Sequence, residues 1–153
     1  MTSLAPSQIK DVLPHRPPTL LIDQVLNLAP GESITALKAI TVEALCYEGV
    51  DGFDHSYPNA LMLESFGQAA AVLLAKVWRP ADGMGDEVPI LGAMSGIHFD
   101  IPVQPGDVVQ HQVYIDRIAH DNAIVHGFST VGDTTVMRVE HIVLALRPRR
   151  QVQ

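Results

Sequence analysis

Only one cysteine, Cys46, occurs among the 153 residues. That excludes an intramolecular disulfide and a thiolate-built zinc cage, and it fits a reducing cytoplasm. With no basic residue close by in sequence, Cys46 reads as an inert thiol rather than a nucleophile. Charge is scarce as well: charged residues make up 18% of the chain against 47% hydrophobic ones, so part of the exterior is expected to be covered in an oligomer. Cations are the rarer sign. Lys and Arg number 10 against 17 Asp and Glu, and the net charge of -7 leaves no basic stripe for nucleic acid. The one cationic cluster, Arg147-Pro148-Arg149-Arg150, reads as part of a frayed tail over residues 147–153. Residues 1–8 lack the basic start and apolar core of a secretion signal, and no charge-free apolar run reaches the ~20 residues that cross a bilayer. No repeat or low-complexity tract is present. The length suits a single domain over residues 1–153 with a core of its own.

Punctuation by proline and glycine divides the rest. Residues 9–13 form a short helix stopped by Pro14, and Pro17-Pro18 forces an extended path. Residues 20–28 and 33–40 read as two strands joined by Pro30-Gly31, the second alternating apolar with polar residues. Residues 42–57 have no clean period and read as loop with one helical turn. Asn59 is placed as the N-cap of a long helix that runs until Arg79-Pro80, apolar nearly all round. Beyond a Gly-rich loop over residues 82–86, four strand-like runs follow, at 89–99, 108–118, 123–131 and 135–146, with Gly106-Asp107, Asp121-Asn122 and Gly132-Asp133 between them. A helix that is apolar on all sides must be wrapped, and four strands in a meander supply the wrapper. The fold class is α+β, with an edge strand that would pair across a two-fold axis.

Chemistry concentrates in one stretch, Asp54-His55-Ser56-Tyr57-Pro58-Asn59-Ala60-Leu61-Met62-Leu63-Glu64-Ser65-Phe66-Gly67-Gln68. Glu64 and Gln68 stand four residues apart on one helical face among hydrocarbon, with His55 in the loop before. A carboxylate taken out of water either finds a partner or has its pKa raised toward neutrality, where it suits proton transfer. The bland alternative is a helix carboxylate satisfied by Gln68 or across a subunit interface. His98, His111, His120, His126 and His141 lie at strand and turn positions without metal-ligand spacing and read as members of solvated faces.

Three stretches together carry a resemblance. They are Leu13-Pro14-His15-Arg16-Pro17-Pro18-Thr19-Leu20-Leu21-Ile22-Asp23-Gln24-Val25, the helix opening Pro58 to Gln68, and Phe99-Asp100-Ile101-Pro102-Val103-Gln104-Pro105-Gly106-Asp107. In that order they resemble the FabZ-like 3-hydroxyacyl-ACP dehydratases of the hotdog-fold superfamily, including diverged members of polyketide or aryl polyene pathways. The resemblance implies a long central helix wrapped by a curved antiparallel sheet, a homodimer or higher homo-oligomer, an acyl carrier protein (ACP) as partner, and no metal or other cofactor. It also implies catalysis by His55 of one chain and Glu64 of the other, with a backbone N–H at Asn59 polarising the thioester carbonyl. His15-Arg16 would fix the N-terminal segment by hydrogen bonding.

Two departures from the family pattern stand out: Asp54 precedes His55 where a glycine is usual, and the loop between His55 and Glu64 is short. The expected reaction is dehydration of a 3-hydroxyacyl thioester, with neutral His55 taking the proton next to the carbonyl and Glu64, partly protonated, giving its proton to the departing hydroxyl. The acyl tail is expected in a tunnel along the helix lined by Phe66, Leu73 and Phe99, with Gln68 also binding substrate. An acidic carrier would dock on Arg79, Arg117 or Arg138. Two other functions remain open at this point: an acyl thioesterase on the same fold, and a non-catalytic acyl-binding subunit that partners an active dehydratase.

Overall fold

The structure, a computed structural model, describes residues 2–49, 52, 54–78 and 86–151. Strand β1 (Thr2–Leu4) and helix α1 (Pro6–Val12) open the chain, then β2 (Gln24–Ala29) and β3 (Ser33–Ala39) form a hairpin. The long helix α2 (Asn59–Trp78) follows, and β4 (Glu87–Phe99), β5 (Val108–Ile118), β6 (Asn122–Val131) and β7 (Thr134–Pro148) complete the sheet. Every pairing is antiparallel, in the order β1-β2-β3-β5-β6-β7-β4.

The helix begins where the sequence places it, with one change of role. The Pro58 carbonyl accepts the N–H groups of Leu61 and Met62, so Asn59 is the first residue inside the helix rather than its cap. The meander also needs correction. Strands β5, β6 and β7 run in succession, but β4 crosses to the far side of β7 and forms an edge of the sheet. The strand expected at residues 20–28 starts only at Gln24, because the Leu21 N–H bonds to the Gln68 side chain instead of a neighbouring strand. Arg147 and Pro148, expected in a frayed tail, pair with Val88 and Glu87. The Gly-rich loop expected at residues 82–86 lies outside the described residues but for Asp86.

The core is the contact between α2 and the inward positions of the sheet. Phe66, Leu73 and Leu74 of the helix meet Ile34 and Ala36 of β3, Val109 and Val113 of β5, and Val125 of β6, all essentially enclosed. Bulges in β2, β5, β6 and β4 bend the strands around the helix. At the β6 bulge Gly127 has no alternative: an added Cβ would overlap the Gln112 carbonyl and crowd the Phe66 ring. By length and composition α2 would suit a membrane span, yet Met62, Phe66, Val72 and their neighbours are buried against the sheet, which makes it the core helix of this fold.

Candidate active site

One stripe of α2 escapes the wrapping. Ala60, Leu63, Glu64, Gly67 and Ala71 fall at helical spacing, three or four residues apart, and face a cavity of ≈ 430 Å³ instead of the sheet. Pro89, Ile90, Leu91 and Met94 of β4 close its other side, with Ile142 and Leu144 of β7 behind. Gly67 deepens the groove, since an added Cβ would meet no atom within 4 Å. Two titratable groups line this apolar space, Glu64 and His15. On its other side Glu64 borders a second cavity of ≈ 730 Å³, walled by residues 18–21, by Lys38 and Thr41, and by Cys46, Tyr57 and Leu61. Burial pushes the Tyr57 phenol up to about 12 and also raises the Cys46 thiol, so both stay protonated at neutral pH.

Gln68 is the anchor of this region and is itself 2% exposed. Its Oε1 accepts the Leu21 N–H at 2.8 Å, and its Nε2 donates to the Thr19 carbonyl at 2.8 Å and to Glu64 Oε1 at 3.0 Å. Because the amide N–H of Leu21 can only donate, the Gln68 oxygen must face it and the NH₂ must face the two acceptors. The side chain thus staples residues 19–21 to α2, with both of its N–H donors spent on protein, and it also lines the groove. The same staple brings His15 over the helix, its Nε2 3.4 Å from Glu64 Oε1.

The ionisation of Glu64 differs from the sequence expectation. Its pKa is lowered, chiefly by the hydrogen-bonding contact with His15 and further by Gln68, against the opposing effect of desolvation. At 3.4 Å the His15 contact is long for a hydrogen bond, so its direction matters more than its strength. The side chain is 50% exposed. An all-apolar helix suggested a desolvated carboxyl, whereas the uncovered stripe leaves this one wet and supplied with donors. Glu64 in a single chain is therefore a carboxylate.

The remaining expected residues are scattered. His55 is half-buried beside the Tyr47 ring at a centroid distance of 5.9 Å, and its backbone carbonyl accepts the Tyr47 hydroxyl at 2.8 Å. It lines neither of the cavities that Glu64 borders, so one chain does not join the two. Asn59 is exposed and outside both cavities, while Ala60, next in the first helical turn, lines the apolar one. Phe66 and Leu73 are fully enclosed in the core, and Phe99 is 39% exposed on the edge strand; none of the three lines the groove. The helix residues that line the groove lie on the face opposite Phe66 and Leu73. Arg138 is spent in a two-pronged pair with Asp100, both contacts at 2.9 Å, Arg117 is exposed at the end of β5, and Arg79 lies outside the described residues.

His111, expected on a solvated face, is the most enclosed titratable group among the described residues. It is 0% exposed, with Nε2 2.7 Å from Ser65 Oγ and Nδ1 2.7 Å from Ser129 Oγ. The Ser65 hydroxyl donates to the Met62 carbonyl, so it accepts from Nε2–H, and Nδ1 accepts from Ser129. Its inward alternation with Val109 and Val113 along β5 was the available signal.

Comparison with known proteins gives a consistent picture. A family model described as a FabA-like domain matches residues 13–140. The 3-hydroxyacyl-[acyl-carrier-protein] dehydratase FabZ of Pediococcus pentosaceus is 32% identical over 140 residues, covering 92% of this chain and 91% of that protein. FabZ of Janthinobacterium sp. (strain Marseille) is 40% identical over 121 residues, covering 78% and 76%. Among solved structures, the dehydratase heterocomplex ApeI:P from Xenorhabdus doucetiae superposes with a TM-score of 0.79 at 14% identity, over 94% of this chain and 93% of that one, which shows a shared hotdog fold.

Proposed function

The chain belongs to the FabA-like family and is a 3-hydroxyacyl-ACP dehydratase of the FabZ type, and we propose that it acts through Glu64 of one copy and His55 of a second. The observation that carries the reading is the placement of Glu64 in an apolar groove whose far wall is the edge strand β4. Leu91 and Met94 of that edge are 51% and 42% exposed, apolar surface that a second copy would cover while bringing its own loop toward Glu64. The acyl tail lies over Gly67 and Ala71 in the groove, and the thioester carbonyl meets the unpaired amides of Asn59 and Ala60 at the positive end of the helix.

In the reaction neutral His55 takes the proton from the carbon next to the carbonyl, and the hydroxyl on the following carbon leaves as water with a proton from Glu64. Glu64 must then be protonated in the loaded complex. Desolvation is the one influence that already raises its pKa, and a second subunit and an acyl chain both add to it. The imidazolium and the carboxylate left behind exchange the proton to reset the site. The substrate arrives on an acyl carrier protein in the cytoplasm, in fatty-acid or polyketide synthesis. The two side chains supply the base and the acid that this elimination needs.

Mass spectrometry of 3-hydroxyacyl-ACP substrates of graded length tests this directly, the expected product being lighter by one water. Glu64→Gln and His55→Ala should each lower the rate by about a hundredfold or more. Mixing the two inactive variants should restore part of it, since one site in a mixed dimer keeps both groups; no recovery would defeat the two-copy site. Release of free acid would instead indicate a thioesterase. The ApeI:P neighbour is a heterocomplex, which supports a second reading in which the other copy is a different hotdog chain. Inactivity of the purified chain, reversed by a copurifying hotdog protein, would favour it.

A further inference from the structure

We propose that His15 is the positioning residue for Glu64, holding one carboxylate oxygen together with Gln68 so that the other is presented to substrate. The inference rests on the reading of Glu64 as catalytic and adds a third side chain to that site. Gln68 Nε2 and His15 Nε2 both approach Oε1, at 3.0 and 3.4 Å. The Gln68 hydrogen bond and the longer His15 contact on the same oxygen bias the rotation of the carboxyl group and leave Oε2 as the oxygen with open lone pairs.

The tautomer of His15 follows from its surroundings. Nδ1 is buried with no hydrogen-bond partner. A proton there would be a donor without an acceptor, whereas a proton on Nε2 meets Glu64. His15 therefore presents its Nε2–H, not Nδ1, to Glu64.

The backbone that carries the ring is tied down on both sides. Arg16 Nη1 donates to the carbonyls of Leu13 and His15, each at 2.8 Å, and the Arg16 carbonyl accepts Thr19 N–H, Thr19 Oγ1–H and Leu20 N–H. The next residues are stapled to α2 by Gln68. One buried amide therefore orients Glu64 directly and also places the segment that brings His15 to it. Around Glu64 the other titratable groups, Lys38 of β3 and Glu43, Cys46 and Tyr57 of the following segment, line the second cavity, and the β4 and β7 residues facing the groove do not titrate. Among the described residues His15 is the sole titratable neighbour on the groove side.

The test uses the whole active protein, loaded with its 3-hydroxyacyl-ACP substrate. His15→Asn, too short to reach Glu64, should lower kcat by about ten- to a hundredfold with KM changed less than about threefold. The limb of the pH–rate profile that reports protonation of the Glu64 carboxylate should move to higher pH, because a donor that stabilises the anion has gone. His15→Gln, whose amide reaches the same oxygen, should recover most of kcat and return the limb. A side-chain carbon NMR titration of Glu64 in the folded resting protein reads the same shift without turnover, so a variant that loses activity by unfolding cannot imitate the result. His15→Asn with a wild-type kcat and an unmoved limb, while Glu64→Gln is inactive, overturns the proposal and spares the catalytic reading. Full activity in Glu64→Gln overturns both.

Discussion

Acid should weaken this protein through a side chain that never meets substrate. His111 is enclosed between Ser65 of α2 and Ser129 of β6, and burial, reinforced by the charge of Lys38, holds its pKa at about 3 instead of 6.5. In the unfolded chain the ring takes up a proton as the pH falls below 6.5. In the native chain it stays neutral until about 3. Across that window only the unfolded state gains the proton, so stability is complete above 6.5 and declines by about 1.4 kcal/mol per pH unit below it. By pH 4.5 the loss is roughly 3 kcal/mol, a large share of the about 5–15 kcal/mol that holds a typical domain together. A control must remove the ring without leaving its partners stranded. The triple substitution Ser65→Ala, His111→Leu and Ser129→Ala does so, exchanging a satisfied polar cluster for an apolar one. Urea unfolding of both proteins at pH 7 and pH 4.5, at one protein concentration, should show the wild type losing roughly 3 kcal/mol more than the variant. Equal losses would mean that His111 is already protonated in the native state, and the tautomer and burial argument would fail with it.

Two further outcomes follow from the same packing. Gly127→Ala should cost more than about 3 kcal/mol and lower the melting temperature sharply, because its Cβ would fall on the backbone carbonyl of Gln112 with Phe66 close behind; a variant as stable as wild type would show that the bulge can shift. Gly67 should behave in the opposite way. Gly67→Ala should stabilise α2 by about 1 kcal/mol in thermal or urea unfolding, since its Cβ enters open space. Gly67→Leu should fold but shift substrate preference in the ACP panel toward shorter acyl chains, and an unchanged chain-length profile would remove the groove as the acyl site.

The sequence was most legible where local rules are strict. Pro58 before the helix and Arg79-Pro80 after it bracket α2, and the bounds of β3 and β5 follow from period-two alternation and turn glycines, to within a residue. Pairing between distant strands is another matter. Nothing local in residues 87–99 distinguishes a strand that joins β5 from one that crosses to β7, since the choice is decided by which partner buries the next face of the helix. Strand β1 is three residues long and pairs only with β2, too short for any period to register. The meeting of His15 with Glu64 spans 49 residues and depends on Gln68, a polar side chain whose sequence spacing suggested a partner for Glu64 but could not reveal the two backbone groups it also binds.

The sign of the Glu64 shift shows where such reading stops. Apolar residues on all sides of a helix predict burial of every stripe, and a carboxyl among them should then be desolvated. A seven-stranded sheet with β4 at its edge covers the Phe66 and Leu73 face completely yet leaves Leu63, Glu64 and Gly67 facing a cavity. A chain that makes one face of its core helix apolar and then does not cover it has reserved that face for something else. Here the same face carries the carboxylate and the glycine groove, and the edge strand β4 stands opposite. A second subunit and an acyl chain would each remove water from Glu64, and both act on the one influence that raises its pKa. If Glu64 acts as proposed, the proton that the dehydration requires on it would be taken up as the site is filled, and its ionisation would follow the presence of substrate.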